Sequence, residues 1–394
     1  MHRQGNRHSC GEEMGVAIIE PTGGHAGVHY YDFGLCLGLL QAGCRVSLFT
    51  CDETADPAIP ALDFCPFYRG VFAGKNRWRK GYLYFIGTLK SLRRSLSMRE
   101  PICHFHVYNA LLPEILVMSM ARLFRRKIVL TVHDVACLIG LAARKRSITG
   151  WLYKKADKII VHNRYSMQEL SGIGVPASRV SVIPHGHYLD TMRPLPRPAD
   201  ARRALGIAET GKVILFFGQI KDVKGLDLLI SSMPGVIREI PEAALLVAGR
   251  PWGTDFSRYD KMIDEAGIRP RCHLHLRYIA DDEVAAFFAA ADVVALPYRR
   301  IYQSGVLLMA MTYGRPVVVS DLPGMTEMVT DGSNGYVFSD GSPQALAHSL
   351  IRALRDERER DEISRQGLEY VRQHHAWTGI GRSTVEVYRS ALES

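Results

Sequence analysis

Lys221 and Lys224 flank a turn between the apolar run VILFFG (213–218) and the amphipathic run LDLLISSMPGVIREI (226–240). Ammonium groups at a helix start join unpaired backbone N–H groups and the positive end of the macrodipole, a combination that neutralises a diphosphate. A second stretch of similar design is YQSGVLLMAMTYGRP (302–316). Ser304 fits an N-cap, Gly305 to Tyr313 read as an apolar helix, and Gly314 and Pro316 close it. Its first turn, from Ser304 through Gly305 and Val306, offers free N–H groups, and Arg299 and Arg300 add charge nearby. In PTGGHAG (21–27), Gly23 and Gly24 precede a helix running to about Gln41 and let backbone approach a ligand closely. His133 ends KIVLTVHD (127–134), beside Asp134. The chemistry these residue types suit is the capture of a phosphate-bearing anion, with an imidazole at the cleft edge.

Other histidines are weaker candidates. His185 ends RVSVIPH (179–185), and His104 and His106 stand two apart on one strand and so share a face. His162, His374 and His375 read as structural. There is no D-x-D triad of the kind that bridges a metal to a diphosphate, so no metal and no cofactor are expected. The eight cysteines form no C-x-x-C pair and read as reduced core thiols of a cytoplasmic protein. No G-x-x-x-x-G-K-[ST] loop, no G-x-G-x-x-G after a strand and no serine elbow occur, which argues against NTPases, dinucleotide oxidoreductases and serine hydrolases.

The elements that must hold these residues alternate in type. GVAIIEP (15–21), RVSLFTC (45–51), PICHFHV (101–107), KIVLTVHD, KIIVH (158–162) and RVSVIPH are strand candidates, mostly separated by helical runs. Val- and Ile-rich runs without clean alternation suit strands covered on both faces of a parallel sheet. The Pro-containing stretch 186–212 reads as a linker. The pattern then restarts with VILFFG, AALLVAG (243–249), HLHLRYI (273–279), DVVALPY (292–298) and RPVVVSD (315–321), and turns helical from about 342. Two doubly wound α/β domains are expected in this chain of 394 residues, with ligands beyond the carboxyl ends of the strands.

The net charge of +9 is lopsided. Residues 1–195 carry 25 Lys and Arg against 14 Asp and Glu, and the remainder 24 against 26. The segment AGKNRWRKGYLYFIGTLKSLRRSLSMR (73–99) interleaves basic and aromatic residues, and 79–97 can form an amphipathic helix. Arg77, Trp78, Arg79 and Lys80 are candidate contacts for an acceptor or an anionic lipid surface. Nucleic acid is not expected, since no recognised motif accompanies the charge. No apolar run reaches the roughly 20 residues of a spanning helix. Residues 1–13 read as a tail without the apolar centre of a signal peptide.

Taken together, PTGGHAG, TVHD, VIPHG, FGQIKDVKGLDLL, AADVVALPY, SGVLLMAMTYGRPVVVSD and TDGSNGYVF resemble the GT-B glycosyltransferases, most nearly the retaining family 4 type, over nearly the whole chain. The resemblance implies two Rossmann-like domains facing across a cleft: residues 1–190 on the acceptor side and 191–376 on the nucleotide-sugar side. A helix at about 377–394 would return to the first. It implies Lys224 as the phosphate lysine, with Gln219 where many members have arginine and Lys221 as its substitute. It also implies Gly305 under the diphosphate, Tyr278 and Ile279 against the base, Gly23 and Gly24 facing sugar and acceptor, and His133 near the transferred sugar.

One departure stands out. The family keeps two glutamates eight positions apart, and here those positions are Ile301 and Met309. Methionine is a poor acceptor for ribose hydroxyls. The expected activity is sugar transfer with retention, without a metal, to a glycan or lipid-linked acceptor in polysaccharide or glycolipid synthesis. Its expected place is the cytoplasm, at the inner face of the membrane. The alternatives are a non-catalytic GT-B scaffold or glycan-binding partner, an epimerase or a phosphorylase.

Overall fold

The structure is a computed structural model that describes residues 13–24, 27–73, 76–107, 112–135, 150–253, 255–339 and 341–394. The expected tail at 1–12, His25 of the PTGGHAG loop, Cys10 and Cys137 lie outside the described residues. The apolar runs assemble into two parallel sheets. The first contains β1 (Gly15–Ile19), β2 (Arg45–Cys51), β3 (Leu62–Tyr68), β4 (Ile102–Val107), β5 (Lys127–Val132), β6 (Lys158–Val161) and β7 (Val180–Val182). Its order is β3-β2-β1-β4-β5-β6-β7. The second contains β8 (Lys212–Phe217), β9 (Ala243–Ala248), β10 (Cys272–His275), β11 (Val293–Leu296), β12 (Val317–Ser320) and β13 (Tyr336–Phe338), ordered β10-β9-β8-β11-β12-β13. Strand order reverses between β1 and β4 and again between β8 and β11, so each sheet opens a ligand crevice there.

The helices that carry or support the candidate residues are α1 (Val28–Gln41), α2 (Arg77–Ser97), α3 (Leu112–Leu123), α4 (Arg164–Gly172), α5 (Pro198–Ala204), α6 (Leu226–Glu239), α7 (Ser257–Glu265), α8 (Val284–Ala290), α9 (Gly305–Thr312), α10 (Pro323–Thr326), α11 (Pro343–Arg355), α12 (Glu357–His374) and α13 (Trp377–Glu393). Helices cover both faces of the sheets, and β1, β4, β9, β11 and β12 are buried at every residue.

Two details differ from the expectation. The stretch read as linker contains α5, whose Arg202 is buried, pairs with Asp292 at 2.7 Å and donates to the carbonyls of Ala290, Glu209 and Gly211. Strands β3 and β13 were not anticipated. The first contains Pro66 and sits at a sheet edge, where a residue without an N–H is tolerated, and the second is only 3 residues long. On α3, Val117, Met118 and Ala121 are buried while Leu116 and Leu123 are exposed.

Helix α13 belongs to the first domain's core: Trp377, Ile380, Val385 and Tyr388 pack with Tyr31, Leu35 and Leu39 of α1. The helices cross glycine against glycine. A Cβ on Gly381 would stand 2.1 Å from the Gly38 carbonyl oxygen, so only two hydrogens permit the approach. Gly381→Ala is therefore expected to destabilise the protein by about 1–3 kcal/mol, read as a lower urea midpoint at constant slope. An unchanged midpoint would mean that the two helices do not touch there.

Candidate active site

The second domain builds a positively charged cradle. After β8 the chain passes exposed Gln219 and half-buried Lys221 into a 3₁₀ turn, Asp222–Lys224, that leads into α6. Gly225 closes the turn at φ 68°, and a Cβ there would stand 1.9 Å from the Pro297 carbonyl oxygen. Arg299 was expected to lend charge to an anion, but its charge is committed elsewhere. Its guanidinium makes two 2.7 Å bonds to Asp227 and donates to the Asp222 carbonyl, while its N–H donates to Val223. Arg299 thus pins the lysine turn to the loop after β11.

Lys224 Nζ lies 3.7 Å from the centre of the Tyr298 ring, and the Tyr298 hydroxyl accepts from Ser304 Oγ at 3.4 Å. The phosphate lysine of the expectation is therefore next to the start of α9. Ser304 caps that helix as expected, accepting from Leu307 N–H at 3.2 Å. Gly305 is exposed, and Val306 packs against Gly218. The first-turn N–H groups of Gly305 and Val306 precede the helical ladder and have no partner within it.

The two glutamate positions have other occupations. Ile301 is 6% exposed and packs in the core of the second domain. Met309 lines a small recess with Tyr30, Tyr188, Asp281 and Tyr313. Of the pair expected near a base, Tyr278 is 63% exposed, whereas Ile279 is 7% exposed and part of the core, leaving only its backbone for a ligand.

The first domain supplies the opposite wall. The loop with Gly23 and Gly24 is held by Gly24 N–H donating to Thr54 Oγ1 (2.8 Å) and Thr22 N–H donating to Glu20 Oε1 (2.7 Å). His133 is buried at the end of β5, with ring contacts to Tyr31, His106, His162 and His185. Burial holds its pKa well below the usual value, and that of His162 down to about 3, so both rings are neutral. His162 Nδ1–H donates to the Ile183 carbonyl (3.0 Å), which leaves its Nε2 as an acceptor. That atom lies 3.2 Å from His133 Nδ1, so His133 carries its proton on Nδ1 and a lone pair on Nε2. Gln303 Nε2 also lies 3.2 Å from His133 Nδ1, and a proton on Nδ1 calls for the other orientation of that carboxamide, with its oxygen at this place. His104 is structural, bonded to Tyr388 (2.6 Å) and Thr131 (2.8 Å). His185 contacts its neighbour's carbonyl at 2.7 Å.

Several residues join the lobes that sequence reasoning missed. Tyr302, 1% exposed, leaves the second domain to pack in the first domain's core, stacked on Tyr165 at 5.5 Å. Asn163 Nδ2 donates to the Tyr302 carbonyl (2.5 Å), and Glu327 accepts from Arg164 N–H and Tyr165 N–H at 2.8 Å each. Glu327 thereby adds a carboxylate to the positive end of α4 from across the cleft. No local pattern marks these residues, because each partner lies more than a hundred positions away. Asp134 faces the same gap. Burial pushes its carboxyl up to about 6, against the opposing pull of Lys224, Lys221 and Arg300.

Residues 199–370 match the family described as glycosyl transferases group 1, and residues 26–191 match Glycosyltransferase Family 4. The chain belongs to the group 1 glycosyltransferases of the GT-B fold. It is similar to a D-inositol 3-phosphate glycosyltransferase of Nocardia farcinica, 27% identical over 94% of this chain and 86% of the relative. A protein of the same name from Corynebacterium urealyticum is 30% identical over 60% of this chain and spans 57% of that relative, less than two thirds. Among solved structures, sucrose-phosphate synthase from Thermosynechococcus elongatus superposes with TM-score 0.76 at 20% identity, over 97% of this chain and 100% of that one. HepE of Anabaena, solved with UDP-glucose, gives 0.74 at 19% identity over 96% and 100%.

Among the described residues, no helix is long and apolar enough to cross a membrane. Helix α2 begins with an Asn76 cap and exposes Arg77, Trp78 (91%) and Arg79, with Lys80 half-buried. Arg79 also donates to the carbonyls of Gly70 and Ala73.

Because native Asp134 titrates near 6 and an unfolded aspartate near 3.9, the folded state binds the extra proton between those values. This group's contribution favours folding at low pH and is lost as pH rises through about 6. Carboxyl-detected NMR should give a midpoint near 6 that climbs further in Lys224→Ala, because an attracting cation is gone. A midpoint near 4 in the wild type would put Asp134 in open solvent.

Proposed function

We propose that this glycosyltransferase moves a hexose, with retention and without a metal, from a nucleoside-diphosphate sugar to a glycan or lipid-linked acceptor. The observation that carries the reading is the convergence of Lys224, the open start of α9 and the His133–Asp134 end of β5 on one gap. A diphosphate in this gap lies against the Gly305 and Val306 N–H groups and the Lys224 ammonium, with Lys221 at the rim. As the bond to the anomeric carbon breaks, negative charge grows on the leaving phosphate, where these donors are already oriented. That phosphate takes the acceptor's proton on the same face, and the protein supplies position and field. Neutral His133 stands beside Gln303 on the first-domain side of that gap. The nucleoside lies toward Met309, whose side chain is a poor acceptor for the ribose hydroxyls; the carboxylate that lines this recess is that of Asp281. One unmade bond of that kind costs on the order of 1–3 kcal/mol, which weakens the donor without abolishing transfer.

A turnover screen with UDP-, GDP- and ADP-sugars tests the reading. At least one donor should be consumed in the presence of chelator, and Lys224→Ala should slow it at least tenfold, about 1.4 kcal/mol of barrier. No binding and no turnover with any donor would favour a non-catalytic scaffold instead.

The aromatic and basic start of α2 supports a seat at an anionic membrane surface, where a lipid-linked acceptor resides. The protein should sediment with anionic vesicles at low salt and release at high salt, and Trp78→Ser should weaken this. Equal recovery with neutral vesicles would remove the membrane from the proposal.

A further inference from the structure

Three ionisable residues lie together beneath the glycine loop. Glu20 follows β1 just ahead of that loop, Asp32 stands in α1, and His106 lies near the end of β4. The pairing of β1 with β4 brings them to the switch point of the first sheet. The side chains of Glu20 and Asp32 are 1% exposed and that of His106 is 0% exposed. One donor atom from each lies within 4.8 Å of the other two.

His106 Nδ1 is 2.8 Å from Asp32 Oδ1 and 3.9 Å from Glu20 Oε2. Even so, both Asp32 oxygens, Glu20 Oε2 and both His106 nitrogens make no hydrogen bond among the described residues. Native interiors rarely leave so many buried polar atoms unsatisfied at one spot. Two buried carboxylates also need a counter-charge.

A divalent ion meets both needs. With bonds of about 2.0–2.2 Å, donors lie roughly 3.4 Å apart around a tetrahedral ion, and roughly 3 Å (adjacent) or 4.2 Å (opposite) apart around an octahedral one. The two His106 separations, 2.8 and 3.9 Å, lie close to the ends of the octahedral range, and all three donors lie within 4.8 Å of one another. An adjacent donor also sits off the axis of the imidazole nitrogen, which accounts for a 2.8 Å contact that is no hydrogen bond. Imidazole with carboxylates suits a transition metal better than calcium or magnesium.

We propose that Glu20, Asp32 and His106 form a buried site for one divalent ion of the zinc or manganese class, which ties β1, α1 and β4 together under the loop of Gly23 and Gly24. Glu20 reaches that loop directly through its Oε1 bond to Thr22 N–H. The ion is structural and stands apart from the diphosphate cradle, so the proposal does not depend on the donor reading. The competing occupant is a proton shared between the two carboxylates.

The test uses the full chain purified without a metal-affinity step from medium supplemented with zinc and manganese. Elemental analysis should find about one zinc or manganese per chain. Phenanthroline or EDTA should lower the melting midpoint by roughly 5 °C or more, and zinc or manganese alone should restore it. The isosteric variants Asp32→Asn and His106→Gln should hold no ion and melt independently of chelator. A wild type with no stoichiometric ion, and no shift on adding either metal, would mean that a shared proton fills the site. An ion retained by both variants would overturn the assignment to these residues. Should both variants fail to fold, the wild-type metal content and chelator response decide alone.

Discussion

Tyr302 fixes the distance between the two lobes. It is carried by the loop before α9, yet its ring is buried in the other domain, against Tyr165. Burying an aromatic ring this way is worth a few kcal/mol, more than any single polar contact across the gap contributes. Its neighbours inherit the placement. Ile301 is drawn into its own domain's core, Gln303 meets His133, and Ser304 begins the helix. The first glutamate position is thus filled by an apolar residue that faces packed side chains. The sequence change and the latch are two aspects of one local design.

The charge in the cleft follows from what surrounds each ion. Arg299 is neutralised by Asp227 and serves as a brace for the turn that carries Lys224. Lys224 rests on the face of Tyr298, which holds an ammonium without cancelling its charge, as a carboxylate would. On the opposite wall, the buried rings of His106, His133, His162 and His185 are all held below their usual pKa by burial, so they add no positive charge near neutral pH. The field on an anion between the lobes is then set by the second domain, tempered by Asp134.

Much of this was legible in the chain. VILFFG, AALLVAG and KIVLTVHD are strands because buried parallel strands need continuous apolar residues, and Ser304 and Gly305 announce α9 through local capping chemistry. The lysine turn was legible because Lys221, Lys224 and Gly225 stand within a few positions of one another, although its brace, Arg299, lies far along the chain. What escaped depends on distant partners. Nothing near Arg202 signals that it is buried against Asp292, 90 positions away, and nothing near Glu327 points to the start of α4. Arg299 was misjudged because its ion pair spans 72 positions. The burial of Ile279 was not legible, because a residue next to an exposed loop position need not turn its side chain the same way.

The tautomer of His133 shows how far a site's chemistry reaches from its contacts. One carbonyl, that of Ile183, determines which nitrogen of His162 holds a proton, and His162 in turn determines it for His133. Because both rings are neutral, the order cannot be relieved by adding a proton at ordinary pH. The proton order of the buried His133 ring is thereby set from a strand away. A substitution at Ile183 that moved its backbone carbonyl would therefore alter the cleft through two intervening rings, with no change to any residue that faces the ligand.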